Sequence, residues 1–172
     1  MYPMGNKVVT ELDFAANLSY NFKSISKVVI LVNGIFDILH PGHISFLEQA
    51  RSHGDVLFAG VQSDEAVKQF VNPKGPVNSL EDRMNVLAAV SIVDYVVPYA
   101  EQNASNLIGE IKPTIYALAG DYKKGQLPEE AVITQIEGTV QTIKYDPQFS
   151  TQAVIQKVVQ LYPQIPQDST TE

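Results

Sequence analysis

The sequence predicts an α/β protein: a doubly wound, Rossmann-like sheet of about five parallel strands with helices on both faces. Three observations predict it. Short runs rich in Val, Ile and Leu alternate with helix-like patterns, the order that builds a parallel sheet. Those runs are nearly continuous rather than alternating in polarity, as strands covered on both faces should be. The chain has 172 residues, of which 45% are hydrophobic, enough for one substantial core.

The elements follow in order. Residues 1–27 read as a lead-in segment in which Thr10 is placed to cap a short helix over Glu11 to Tyr20, weakened by Asn17 and Asn21. Strands are predicted over Val28–Val32, Val56–Val61, Tyr95–Val97, Thr114–Leu118 and Thr139–Lys144. A helix follows the first strand, with an apolar stripe of Phe46, Leu47 and Ala50. Ser79-Leu80-Glu81-Asp82 is a capping box for a helix reaching about Val90. Pro128-Glu129-Glu130 opens another, with Pro suited to the first turn and carboxylates to the positive helix end. The last helix is predicted over Thr151 to Leu161. Residues 28–161 thus form the domain proper, and 162–172 a polar, frayed tail.

Charge narrows the function classes. The formal net charge of −7 argues against nucleic-acid binding, which needs a basic face. It leaves room for a phosphate ligand held by a few local donors. With no cysteine there is no disulfide framework and no thiolate chemistry. The apolar run Val28 to Val32 is far too short to span a bilayer, and no secretory leader pattern opens the chain. A cytoplasmic protein with no membrane partner is expected.

One turn does not fit a purely structural account. Between the first strand and its helix the chain reads Asn33-Gly34-Ile35-Phe36-Asp37-Ile38-Leu39-His40-Pro41-Gly42-His43. Pro41 suits a helix first turn, and His43 falls on the same side of the turn as His40. The free amides of a helix start attract anions, and two imidazoles add donors aimed at one spot. Gly42 would let a bulky anion approach the backbone. Hydrogen bonds to a charged group contribute about 1.5–3 kcal/mol each. The residues alone leave three readings open: a polyphosphate site, a solvated turn with two incidental histidines, and a two-histidine metal site with Asp37 as its nearest third ligand.

This segment resembles the signature of the HxGH nucleotidyltransferases, the cytidylyltransferase-like superfamily. The resemblance continues through Asp55 to Asp64, through Pro76 to Arg83, and through Val93 to Val97. It reaches Gly120-Asp121-Tyr122 and Ser150-Thr151. Gly5-Asn6-Lys7-Val8-Val9-Thr10 is similar to the lead-in of the adenylyltransferase half of bifunctional heptose-phosphate enzymes. The resemblance implies transfer of a nucleoside monophosphate from a nucleoside triphosphate, ATP favoured, to a phosphorylated small molecule such as a heptose-type sugar 1-phosphate. It implies His40 and His43 as catalytic residues, with Asn33, Gly34, Ile35, Phe36, Gly42, Asp121, Ser150 and Thr151 on the nucleotide. Asp37, Lys74, Arg83, Lys123 and Lys124 are the candidates for substrate phosphate, Asp37 also as an orienter of its loop. A plain helix cap is the other reading of Ser150 and Thr151. Pairing with Glu81 or Asp94 is the other reading of Arg83. Mg²⁺ is expected to travel with the triphosphate, with no protein metal site. A homodimer is expected, with the N-terminal segment able to serve its interface.

Two positions depart from the heptose-phosphate pattern. Relatives carry lysine where this chain has Val71 and Leu118, so positive charge is missing there. Two alternatives therefore stand beside the first reading. One is a CTP-dependent cytidylyltransferase acting on glycerol phosphate or a similar alcohol phosphate. The other is a nucleotide-binding module with weakened catalysis.

Overall fold

The computed structural model describes residues 7–121, 123, 125–144 and 148–163. Five strands, β1 (Val29–Gly34), β2 (Val56–Gln62), β3 (Tyr95–Tyr99), β4 (Ile115–Ala119) and β5 (Thr139–Ile143), form one sheet in the order β3-β2-β1-β4-β5. Every pairing is parallel. The chain builds outward from β1 to β3, then returns to place β4 on the other side of β1. That reversal opens a crevice at the carboxyl ends of β1 and β4, where doubly wound sheets hold ligands.

Among the described residues there are seven helices, α1 (Leu12–Ser24) before β1, then α2 (Pro41–Arg51), α3 (Asp64–Phe70), α4 (Leu80–Ala88), α5 (Ser105–Ile111) and α6 (Glu130–Gln135) between strands, and α7 (Thr151–Leu161) after β5. Alternate residues of β1 serve opposite faces. Ile30 and Val32 join Leu47, Leu57 and Leu87 in one apolar cluster, while Val29 and Leu31 join Phe58, Leu107 and Ile108 in the other. Full burial on both sides explains why β1 reads as an unbroken apolar run. None of the helices among the described residues is long and apolar enough to cross a membrane.

Several boundaries differ from the sequence expectation, each for a local reason. The strand predicted over Tyr95–Val97 extends through Pro98 and Tyr99, because Pro98 lies on a sheet-edge strand that tolerates a missing donor. Helices α3 and α5 were not anticipated; each has only seven residues, too few for a clear apolar period. Ser63 caps α3 by accepting from the Ala66 amide, but α5 is capped from afar, by the buried Glu129 accepting from the Ala104 amide. The box at Ser79 forms as expected, with Ser79 Oγ accepting from the Asp82 amide, and α4 ends at Ala88.

The lead-in segment is built into the domain. Val8 bridges to Val96 alongside β3, and the Val9 and Val96 amides donate to Val96 and Lys7 carbonyls. Helix α1 starts at Leu12, with Glu11 rather than Thr10 at its cap. Val9 and Ala15 are buried, and Leu12, Leu18 and Phe22 pack against the cluster of β1 and α5. These apolar residues are therefore occupied within the chain, while Phe14, Tyr20 and Ile25 of the same segment are exposed. Gly5, Asn6, Tyr122 and Lys124 lie outside the described residues, as does the tail from residue 164.

Candidate active site

The loop from β1 to α2 is held in an unfavourable shape. Phe36 and Ile38 have φ values of 53° and 46°, the left-handed region that costs a side-chain-bearing residue about 1–2 kcal/mol. Two buried charged groups hold it there. The Asp37 carboxylate, 7% exposed, accepts from the Val77 amide (2.6 Å), the Asn78 amide (3.1 Å) and Asn78 Nδ2 (2.8 Å). Arg83 is 1% exposed and donates to four acceptors: the carbonyls of Ile35, Gln62 (2.8 Å) and Asn78 (3.1 Å), and Asp64 Oδ1 (2.6 Å). This corrects the expectation that Arg83 pins a phosphate or pairs with Glu81 or Asp94. Its guanidinium fastens the loop, the end of β2 and the start of α4 together.

His40 is the cap residue of α2 in extended conformation (φ −140°, ψ 167°). Its carbonyl accepts from the His43 amide (2.9 Å) and the Ile44 amide (3.3 Å). Pro41 has no N–H, so Gly42 supplies the amide of that first turn not turned onto His40. The anion site expected at this helix start is thus narrower in backbone donors and depends more on the imidazoles. The His40 and His43 rings stack, centroids 3.9 Å apart at 27°, and Phe36 tilts against His43 at 5.6 Å. Both Nδ1 atoms are buried without a hydrogen-bond partner. Burial, reinforced by the neighbouring His40 and opposed by Asp37, pushes His43 down to about 4. Burial also lowers His40. Near neutral pH the pair therefore carries no charge and presents each ring as one donor and one acceptor.

Two cavities meet at Phe36 and His43. One, of about 340 Å³, lies between the ends of β1 and β4 and is bordered by Gly34, Gly42 and Leu118. The other, of about 520 Å³, lies between the β1 loop, α3 and α7, bordered by Val67, Val71, Val77 and Ile155. A third cavity, of about 430 Å³, sits at the opposite end of the sheet around Arg51, Asp55 and Asp94, away from the histidines.

The remaining sequence candidates divide. Gly34, Ile35, Phe36 and Gly42 border the smaller cavity. A Cβ on Gly42 would lie 2.8 Å from Phe149 Cβ, 2.9 Å from its carbonyl oxygen and 3.1 Å from His40 Cε1. The segment before α7 therefore makes a close approach that itself requires glycine there. The Asn33 side chain donates from Nδ2 to the Tyr99 hydroxyl (3.0 Å) and accepts from the Tyr116 hydroxyl (2.6 Å). Those tyrosines belong to the cluster on the sheet face away from α2, so the Asn33 amide bonds to them while Asn33 also stands on the cavity's border. Burial pushes both phenols up, so they stay protonated. Sequence reasoning missed this trio because strand register alone brings it together.

Ser150 Oγ accepts from the Ala153 amide (3.1 Å), a helix cap. Thr151 Oγ1 donates to the Asp37 carbonyl (3.1 Å), which ties α7 to the β1 loop. Asp121 is exposed just beyond Gly120, and Lys74 and Lys123 are exposed. None of the three borders either cavity. Among the described residues no three His, Asp or Glu side chains converge on a metal position.

The family model described as cytidylyltransferase-like matches residues 31–167. The bifunctional protein HldE of Haemophilus influenzae is 41% identical over 136 residues, which is 79% of this chain and 29% of that protein. HldE of Chromohalobacter salexigens is 39% identical over 131 residues, 76% of this chain and 28% of that one. The chain thus spans less than a third of the length of these relatives. The lipopolysaccharide core biosynthesis protein from Thermoplasma volcanium is similar in structure, with a TM-score of 0.59 at 27% identity, covering 70% of this chain and 97% of that one. Pantoate-beta-alanine ligase from Francisella tularensis, solved with beta-gamma ATP and beta-alanine, shares the fold at a TM-score of 0.60 and 16% identity, covering 98% and 82%. With the strand–turn–helix of its paired histidines at the switch point of a five-stranded parallel sheet, and the family pattern running from the first strand into the tail, the chain belongs to the cytidylyltransferase-like family.

Proposed function

We propose that this chain is a nucleotidyltransferase that moves a nucleoside monophosphate from a nucleoside triphosphate, ATP favoured, to a heptose-type sugar 1-phosphate, with release of pyrophosphate. The observation that carries the reading is the neutral His43 ring, which borders both cavities and stacks on His40, which borders neither, with the Nδ1 atoms of both rings buried and unpartnered. Two cavities that share the His43 ring on their borders suit two substrates that must react in line. An oxygen of the acceptor phosphate attacks the α-phosphorus; the bond from that phosphorus to the β-bridging oxygen breaks, and its electron pair leaves with pyrophosphate. Catalysis of this kind rests on positioning and on stabilising charge that develops on the phosphoryl oxygens. The imidazole N–H groups of His40 and His43, the Gly42 amide and the Ser150 hydroxyl are the donors for that charge.

Asp37, the carboxylate that acts on His43, already serves Val77 and Asn78 with both oxygens. A divalent cation, Mg²⁺, is therefore better held by the triphosphate's own oxygens, where it neutralises charge. The exposed Val158, Val159 and Leu161 of α7 favour a homodimer, which sedimentation at micromolar concentration checks against an 18.9 kDa monomer. We place the protein in the cytoplasm, with its nucleotide and sugar phosphate substrates.

One observation favours a second reading, a nucleotide-binding module with weakened turnover: Val71 and Leu118 border the cavities with aliphatic side chains. Pyrophosphate release with Mg²⁺, across ATP and CTP and a panel of sugar 1-phosphates and polyol phosphates, separates the readings. Release specific to one pair, reduced about 10²–10³-fold by His43→Ala, supports transfer. Bound triphosphate without release from any pair supports the binding module, and a CTP and glycerol phosphate requirement supports the cytidylyltransferase alternative.

A further inference from the structure

The larger cavity raises a problem of charge. A sugar phosphate entering it brings a dianion, yet the cavity's border holds no Lys or Arg among the described residues, and its nearest carboxylate, Asp37, has the wrong sign. The His43 ring on that border is neutral near pH 7. A side-chain cation just outside the border would offset that charge. Gly75 shows where. It is buried with φ +80°, and a Cβ built on it would lie 2.9 Å from Lys68 Cε, 3.1 Å from Cγ and 3.6 Å from Cδ. The Lys68 stem therefore runs across a glycine that itself borders the cavity; Lys68 is exposed, and its ammonium is one bond beyond Cε. Lys68 follows Val67 in α3, and Val67 and Val71 border the cavity one turn apart, so the stem starts beside the helix face that forms the wall. Among the described residues Lys68 makes no ion pair or hydrogen bond, so its charge is uncommitted. Of the other cations of this region, Arg83 has its guanidinium shared among protein acceptors, and Lys74 is exposed in the loop beside Gly75.

We propose that Lys68 is the residue that binds the acceptor's phosphate: its stem is laid over Gly75 so that the ammonium reaches a phosphate seated in the cavity beside His43. The proposal rests on the nucleotidyl-transfer reading, and the experiment keeps the two apart. Lys68→Met retains the stem and removes the charge; Lys68→Arg restores it. Steady-state pyrophosphate release gives the KM for acceptor and for triphosphate separately, and calorimetry gives binding of a sugar 1-phosphate and of inorganic phosphate to the protein without triphosphate. The acceptor KM is expected to rise about 10- to 100-fold in Lys68→Met, with the triphosphate KM unchanged, and to return most of the way in Lys68→Arg. An unchanged acceptor KM in Lys68→Met overturns the proposal and leaves the transfer reading standing, and so does an equal rise in both KM values. If the wild-type protein releases no pyrophosphate from any pair, the transfer reading fails. The calorimetric arm then decides for Lys68: a tenfold loss of sugar 1-phosphate binding in Lys68→Met upholds its role, and an unchanged affinity removes it.

Discussion

Replacing Arg83 by Met is the most discriminating single change, because the sequence allowed a ligand role and the structure assigns a scaffold role. Methionine keeps most of the stem's volume and removes the whole donor fork. Three backbone carbonyls, of Ile35, Gln62 and Asn78, then lose a donor in a place water reaches poorly. Each stranded acceptor costs about 1 kcal/mol. The Asp64 carboxylate loses its partner too, but its side chain is 26% exposed, so hydration recovers most of that interaction. The sum is about 3 kcal/mol, and for a chain of this size about 6–12 °C in Tm. Urea unfolding followed by far-UV circular dichroism measures it. Arg83→Lys should recover less than half, since one ammonium cannot face the loop, the strand end and the helix start together. A variant within 1 kcal/mol of wild type that nevertheless loses triphosphate or acceptor binding would falsify the scaffold role and restore Arg83 to the ligand.

Other perturbations test other parts of the site. Gly42→Ala forces a Cβ into Phe149 and should push the segment before α7 away from α2, with a loss of about 1–3 kcal/mol and impaired pyrophosphate release. Tyr116→Phe deletes the donor to Asn33 Oδ1 and should cost about 1 kcal/mol in urea unfolding, with the triphosphate KM unchanged. The His43 ring should titrate by proton NMR near 4, well below the ordinary imidazole value of 6.5, and His40→Ala should raise its midpoint. Because the folded pKa is the lower one, the unfolded chain takes up the proton first. The His43 contribution to stability is therefore intact above about 6.5 and is lost as pH falls toward 4. A bound polyphosphate reverses the preference, so triphosphate binding at pH 5.5 should draw in a proton, seen as calorimetric heats that vary with the buffer's ionisation enthalpy.

The fold was legible because its signals are local. An unbroken Val/Ile/Leu run means a strand covered on both faces, and Ser79 with Asp82 makes a cap within a single turn. Strand β1, helix α2 and the paired histidines could be read together for the same reason. What escaped was set by distance along the chain. The cap of α5 comes from Glu129, and the partners of Arg83 come from residues 35, 62, 64 and 78. The charge neighbours in sequence, Glu81 and Asp94, pointed the wrong way. Asp94 instead accepts from the Leu57 amide and faces Arg51. Asn33 looked like a site residue by position, but strand alternation sends its amide to the far face, where register supplies Tyr99 and Tyr116. The cavities' aliphatic borders were half legible: Val71 and Leu118 stood out, while Val77 and Ile155 are assembled only by the approach of α7.

Helix α7 gives the larger cavity its outer wall, yet none of its residues is buried, and one hydroxyl, Thr151 to the Asp37 carbonyl, ties its start to the β1 loop. A wall with so little apolar attachment opens at a small fraction of the free energy that unfolds the sheet. The route by which an acceptor enters therefore need not disturb the strands or the histidines at all. Amide exchange in α7 should run orders of magnitude ahead of exchange in β1 and β2, and a small molecule wedged in the cavity should slow it. In an isolated chain that exchange pattern would mean a long-lived sheet end holding the histidines in register beside a shorter-lived helix, and a dimer contact on α7 would lengthen the helix's lifetime toward that of the sheet.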